Sequence, residues 1–425
     1  MPGLLQGRVL YDSQPLCYNP HRSQLLPASN PASLTSSFDH QEDFFARAFG
    51  VINHAIAQRA FPCASVAVTH AGKLVALKSF GNFVFPEDVD IPPGLERPAR
   101  VSTIFDIASL TKPVATTTMA MILCERGRLD LNQPVAEIVP EFLIDSSGMS
   151  DPRRAAVTFQ GLLAHSSGLP AYEKLFLKAR TRDELLHAAF TMPLAADPGS
   201  RAEYSDIGFI VLGVALERIA AESLDTFCER EIFRPLAMEG TSFHPAAGVS
   251  AGKRRAEIPP TADERARKEA GEAGGVRSTF RNRIIQGEVQ DENAFVLGGV
   301  AAHAGLFATA HDLARFAHFM LAGGSSIVGR ESISRFTLRE SSPAGTSRTL
   351  GWDTPSALSQ SGKYFGPRSY GHLGYTGTSL WIDPDRELSV ALLTNRTWPD
   401  CSNPAIKQVR PQFHDAVVEA LERQR

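Results

Sequence analysis

The chain has 425 residues, of which 43% are hydrophobic and 21% charged. This is a globular composition with a large core, and at roughly 100–200 residues per domain it allows two or three domains or one composite one. A formal net charge of −3 argues against nucleic-acid binding by overall electrostatics, and no uncharged apolar run approaches the roughly 18 residues of a membrane span.

Residues 1–40, rich in Pro, Ser and Asn, read as a loosely ordered extension ahead of a main domain over 41–425. They lack the basic start and apolar stretch of a secretion signal, so a cytoplasmic location is expected. Five cysteines (Cys17, Cys63, Cys124, Cys228, Cys401) form no C-x-x-C pair. Their odd number suits reduced thiols better than a disulfide framework. From about residue 41, "QEDFFARAFGVINHAIAQRA" has helical apolar spacing. "ASVAVTHAGKLVALKSFG" (64–81) then reads as a β-hairpin around Ala71-Gly72.

In "FDIASLTKPVATTTMAMILCERGRLDL" (105–131), Ser109 stands three residues before Lys112. On a helix such positions share a face, with Cβ atoms about 5–6 Å apart. A serine at a helix start, beside a lysine, meets free N–H groups and a dipole that favour developing negative charge, as an activated nucleophile requires. Pro113 is harmless in a first turn. S-x-x-K also recurs at Ser250–Lys253, in a Gly- and Arg-rich stretch with no apolar helix behind it, and that copy reads as a decoy. Taken alone, the pair at Ser109 does not decide between chemistry and chance.

Thr181 and Glu184 form a capping-box signature. "DPGSRAEYSDIGFIVLG" places Tyr204-Ser205-Asp206 at the start of an apolar helix, where a tyrosine either faces a cleft or packs. Residues 253–292 hold 9 Lys/Arg against 8 Asp/Glu and read as a solvated insertion. Arg281 and Arg283 within it are the cations to watch near a cleft. His303, His311 and His318 come without an H-E-x-x-H or paired carboxylates, so no metal site and no cofactor is expected. Asp291, Asn293 and His303 are candidates for a cleft rim. "SYGHLGYTGTSLWIDP" places His372-Leu373-Gly374-Tyr375 before the last hairpin (379–395), with Gly371, Gly374 and Gly377 permitting close backbone approach. An edge strand there could supply an oxyanion donor. A helix over "AIKQVRPQFHDAVVEALER" closes the chain, with Pro411 near its start or at a kink. The two hairpins would form one antiparallel sheet from both chain ends around a helical middle.

Ser109-x-x-Lys112, Tyr204-x-Asp206 and His372-x-Gly374, in that order, resemble the three active-site motifs of the serine β-lactamase and penicillin-binding protein superfamily. The likeness is to the class C β-lactamase-like branch, with its DD-peptidase, family VIII carboxylesterase and penicillin-binding protein 4B-like relatives. "TFQGLLAHSSGLP" (158–170) and "GEVQDENAFVLGGVAAHAGLFATAHDLARF" (287–316) match that group too, with His165 in a packing role. The resemblance covers about 41–420. It implies an α+β, β-lactamase/transpeptidase-like fold, with the sheet part at about 41–107 and 299–425 and the helical part at about 108–298. It implies Ser109 as nucleophile, Tyr204 as proton acceptor with its pKa lowered by Lys112, and the backbone N–H groups of Ser109 and Tyr375 as oxyanion hole. Asp206, His372, Leu373 and Gly374 would contact a small-molecule acyl substrate.

Asp206 stands where the lactamases usually have Asn, and His372-Leu373 where they have Lys-Thr or Lys-Ser. A residue of reference pKa about 6.5 replaces a permanent cation, an isobutyl group replaces a hydroxyl, and a carboxylate is added. These changes weaken recognition of an anionic substrate. They point to a carboxylesterase on small acyl esters, with a DD-peptidase or weak β-lactamase, or a non-catalytic acyl- or peptide-binding protein, as alternatives. Oligomeric state is left open.

Overall fold

Two apolar runs, one from each end of the chain, lie side by side at the centre of the fold. The computed structural model describes residues 34–247, 254–265 and 280–423. In chain order the strands are β1 (Thr35–Ser36), β2 (Cys63–His70), β3 (Lys73–Gly81), β4 (Phe105–Asp106), β5 (Ala262–Asp263), β6 (Ile284–Ile285), β7 (Phe307–Ala308), β8 (Tyr370–Leu373), β9 (Ser379–Asp383) and β10 (Leu388–Thr394). Six of them form one sheet in the order β1-β3-β2-β10-β9-β8, while β4 pairs with β7 and β5 with β6. Both expected hairpins are present, and β2 joins them by pairing antiparallel with β10, Val66 opposite Leu392. The first hairpin turns through Ala71 (φ 48°) and Gly72 (φ 77°), the two positive φ angles that match strand twist in a two-residue loop.

Both faces of the central strands are buried. Ala64, Val66, Val68, Leu388, Val390 and Leu392 enter one cluster with the Ala46–Ala57 and Ile406–Glu422 helices. The alternate residues Ala67, Ala391 and Leu393 enter the larger cluster beneath the helical half. Burial on both sides explains why these strands read as near-continuous apolar runs, and each large side chain contributes about 1.5–3 kcal/mol. Pro411 lies inside the last helix.

Several expectations meet a different arrangement. Of the 1–40 extension, residues 1–33 lie outside the described residues, as do Cys17 and the Ser250–Lys253 copy of the motif; Thr35–Ser36 pairs parallel with β3. The charged 253–292 stretch is solvated only in part: Arg283 is exposed, whereas Glu264 and Arg281 form a 2.7 Å ion pair with both side chains 1% exposed. Thr181 caps its helix through the Glu184 N–H, but Glu184 reaches back to the Arg180 N–H, one residue before the cap. Cys63, Cys124 and Cys228 are free thiols. Among the described residues, no helix is long and apolar enough to cross a membrane.

Candidate active site

Ser109 follows a constrained turn. Ala108 has φ 47°, a left-handed conformation that a residue with a Cβ adopts at a cost of roughly 1–2 kcal/mol. The Asp106 carboxylate accepts the Ala108 N–H at 2.8 Å and the Gln290 N–H at 2.7 Å. Burial pushes the Asp106 pKa up to about 6, against the pull of those two N–H groups. The expected helix start is there, but the run is not a regular α-helix. A 3₁₀ turn (Ala108–Leu110) leads into a π segment (Lys112–Thr117) and only then into the Thr118–Glu125 α-helix. Pro113 has no N–H to give this ladder. The Thr118 hydroxyl donates to the Pro113 carbonyl at 2.9 Å. Such π segments often accompany functional sites.

Lys112 is fully buried, and its ammonium has three donors with three partners. It donates to Ser109 Oγ at 3.2 Å, to Asp206 Oδ1 at 2.6 Å and to the His303 carbonyl at 2.9 Å. Burial acts to lower its pKa. Asp206 and Tyr204 outweigh burial and hold it above the usual lysine value. On the lysine side, the stabilisation is therefore fully present below about pH 10.4 and is lost as pH rises past the raised value. Asp206, expected as a substrate contact, is paired with Lys112.

Tyr204 stands just before the Asp206–Ala220 helix, which Ser205 caps by accepting the Gly208 N–H at 2.9 Å. Its ring lies 4.8 Å from the Lys112 ammonium and 4.6 Å from the His165 ring, close enough for the Lys112 charge to act on its phenol. The resemblance implies a phenol pKa lowered by Lys112; that pull is present, but the net direction is the opposite. Burial raises it, Lys112 pulls it down, Asp206 raises it again, and the net direction is up. His165 packs here as expected. It stacks on Phe209, accepts the Ser205 N–H at Nδ1 (3.0 Å), and burial keeps it neutral, well below the usual histidine pKa.

Asp206 thus raises the pKa of both groups. Asp206→Asn is expected to shift the ascending limb of the kcat/KM–pH profile to lower pH. A profile measured from pH 5 to 10 that leaves the limb in place would contradict this.

The loop after β8 completes the cluster. Its ring 5.8 Å from Tyr204, His372 is buried. Its Nδ1 donates to the Leu373 carbonyl at 2.8 Å, and its buried Nε2 has no hydrogen-bond partner. Burial, then Lys112 and Arg348, hold it neutral. Gly374 lies so close to the turn before Ser109 that a Cβ would fall 2.5 Å from the Ile107 carbonyl. Thr376 and Thr378 hydroxyls donate to the Asp106 and Ile107 carbonyls at 2.7 and 3.0 Å. These bonds fasten the loop that carries Tyr375 to the backbone of Asp106 and Ile107. Tyr375 and Leu373 are both partly exposed at this loop.

Of the rim candidates, Asn293 is wholly buried and bonds the Phe176 N–H and the Glu173 carbonyl. His303 is buried and pairs with Asp291 at 3.0 Å, supporting the carbonyl that holds Lys112. Arg281 and Arg283 pair with Glu264 and Glu288. Sequence reasoning misses Arg348, whose guanidinium lies 5.4 Å from the Tyr204 ring and 3.6 Å from Asp353. No spacing signal points to it. Among the described residues, no group of three or more His, Cys, Asp or Glu side chains is placed to hold a metal ion.

Comparison with known proteins gives the family and the fold. The beta-lactamase family pattern matches residues 49–409. An N-acetylmuramyl-L-alanine amidase of Bacillus subtilis (strain 168) is 31% identical over 357 residues, covering 79% of this chain and 77% of that protein. Among solved structures, EstCE1, a hydrolase with promiscuous acyltransferase activity, superposes with a TM-score of 0.67 at 20% identity, covering 89% of this chain and 99% of that one. The octameric penicillin-binding protein homologue from Pyrococcus abyssi gives a TM-score of 0.63 at 21% identity, covering 88% and 77%. The chain belongs to the beta-lactamase family and is a serine hydrolase of the β-lactamase and penicillin-binding protein superfamily.

Proposed function

We propose that the protein is a carboxylesterase on small acyl esters that works through an acyl-enzyme at Ser109. The observation that carries this reading is the single ammonium of Lys112, shared by Ser109 Oγ, Asp206 and the His303 carbonyl. Ser109 Oγ attacks the acyl carbonyl. Its proton passes to the phenolate form of Tyr204, which returns it to the departing alcohol. The oxyanion is held by the N–H groups of Ser109 and Tyr375, and water then releases the acid by the same route in reverse. With the phenol held above its usual pKa, the reactive form is a minority at neutral pH and grows as pH rises.

Ester preference is supported by the polarity of the third motif. His372 is neutral, Leu373 has no hydroxyl, Arg281 and Arg283 are engaged elsewhere, and the Asp206 charge is offset by Lys112. A second reading, an amidase or peptidase acting on a carboxylate-bearing substrate, is favoured by one observation, the Arg348 cation beside Tyr204. A panel of p-nitrophenyl acetate and butyrate, nitrocefin and an acylated D-Ala-D-Ala peptide separates them. The esters are expected to lead in kcat/KM. Peptide or nitrocefin turnover above ester turnover, abolished by Arg348→Met, overturns the ester reading in favour of the second. In the ester reading, His372→Lys with Leu373→Thr raises penicillin turnover.

A further inference from the structure

Arg410 is a buried cation whose hydrogen-bond partners include no carboxylate. It projects from the Ile406–Glu422 helix and is 5% exposed. One Nη2 donates to the Gly374 carbonyl at 2.6 Å and the Thr378 carbonyl at 2.9 Å, and Nη1 donates to Gln360 Oε1 at 2.9 Å. Its Nε is buried without a hydrogen-bond partner. Burying an ion without a counterion is costly, so a chain that needed only to tie this loop down would gain more from a neutral donor.

The loop has several anchors besides Arg410. Thr376 and Thr378 bind the Asp106 and Ile107 carbonyls, Thr394 donates to the Thr376 carbonyl at 2.9 Å, and Arg396 Nε donates to the Tyr375 carbonyl at 2.8 Å. The Gly374 carbonyl also accepts the Gly377 N–H at 3.0 Å. What Arg410 adds is a charge at one particular oxygen. The Gly374 C=O and the Tyr375 N–H belong to one planar peptide unit, and a donor on the oxygen end strengthens the N–H at the other end.

We propose that Arg410 is a positioning residue for the reaction: it fixes and polarises the 374–375 peptide so that the Tyr375 N–H becomes a stronger oxyanion donor. The inference rests on the acyl-enzyme reading above. The cation lies behind the peptide, out of the cleft, and acts on the transition state through the peptide dipole rather than by touching substrate.

The test uses Arg410→Gln, which keeps an N–H donor and removes the charge, and Arg410→Lys, which keeps the charge. The expected result for Gln is a fall in kcat of about 10²-fold with KM changed less than about threefold, the size typical of a weakened oxyanion donor. The carbonyl stretch of the acyl-enzyme, read by isotope-edited infrared difference spectroscopy, moves to higher frequency as polarisation is lost. Arg410→Lys recovers part of both effects. An unchanged kcat overturns the proposal. So does a fall in kcat that tracks the melting temperature while the carbonyl frequency stays at its wild-type value. If Arg410→Gln does not fold, the Lys variant carries the same readouts, with intermediate values expected and a wild-type frequency contradicting. Absence of a burst of alcohol release and of any acyl adduct in the wild-type protein would instead remove the Ser109 reading itself.

Discussion

Ser109→Ala is expected to lower ester turnover by about 10⁴–10⁶-fold, since the nucleophile and its partners act as a unit. The loss is chemical and not structural. Ser109 is only partly buried, and its removal takes from Lys112 one of three acceptors, leaving Asp206 and the His303 carbonyl in place. Stability is expected to change by no more than about 1 kcal/mol. A fluorophosphonate probe should label the wild-type protein and not the variant. Retained turnover in a folded variant would show that the hydroxyl at 109 is not the reacting atom.

Lys112→Met carries the second large effect, and it falls on both activity and stability. Methionine fills the space of the lysine stem but leaves the Asp206 carboxylate, 16% exposed, without its cation and the His303 carbonyl without its donor. Breaking a buried pair from one side costs about 3–5 kcal/mol. Turnover should fall by about 10³-fold or more through loss of the charge that couples Ser109 and Tyr204. Lys112→Met with Asp206→Leu should restore much of the stability, because both charges are then gone, and none of the activity. Denaturant unfolding alongside ester kinetics separates the two roles. A double variant that regains activity with stability would mean the pair serves only the fold.

Much of this centre is legible in the chain because its signals are local. Ser109 and Lys112 are three residues apart, Tyr204 immediately precedes a capped apolar helix, and the alternation around Ala71-Gly72 marks the hairpin, though not the register shift between Val68 and Thr69. The pieces that are not legible are long-range and electrostatic. The motif marks Asp206, but its carboxylate meets a lysine 94 positions earlier, and only the fold makes them partners. The direction of the Tyr204 shift follows from a balance of burial, Lys112 and Asp206, and burial is not a sequence property at a helix start. Arg281 and Glu264 look like solvated charges when counted, yet the fold seals them against each other. Arg348 and Arg410 reach the site from a connecting segment and from the last helix, with no periodicity or neighbour to set them apart from other arginines.

The most direct measurement is the mass of the protein quenched during turnover of a slow p-nitrophenyl ester, with the adduct mapped by peptide sequencing. The account predicts one acyl group per chain, released with the kinetics of turnover, on the peptide bearing Ser109 and at its hydroxyl. Hydrolysis that proceeds with no adduct, or with the acyl group on another residue, would contradict it.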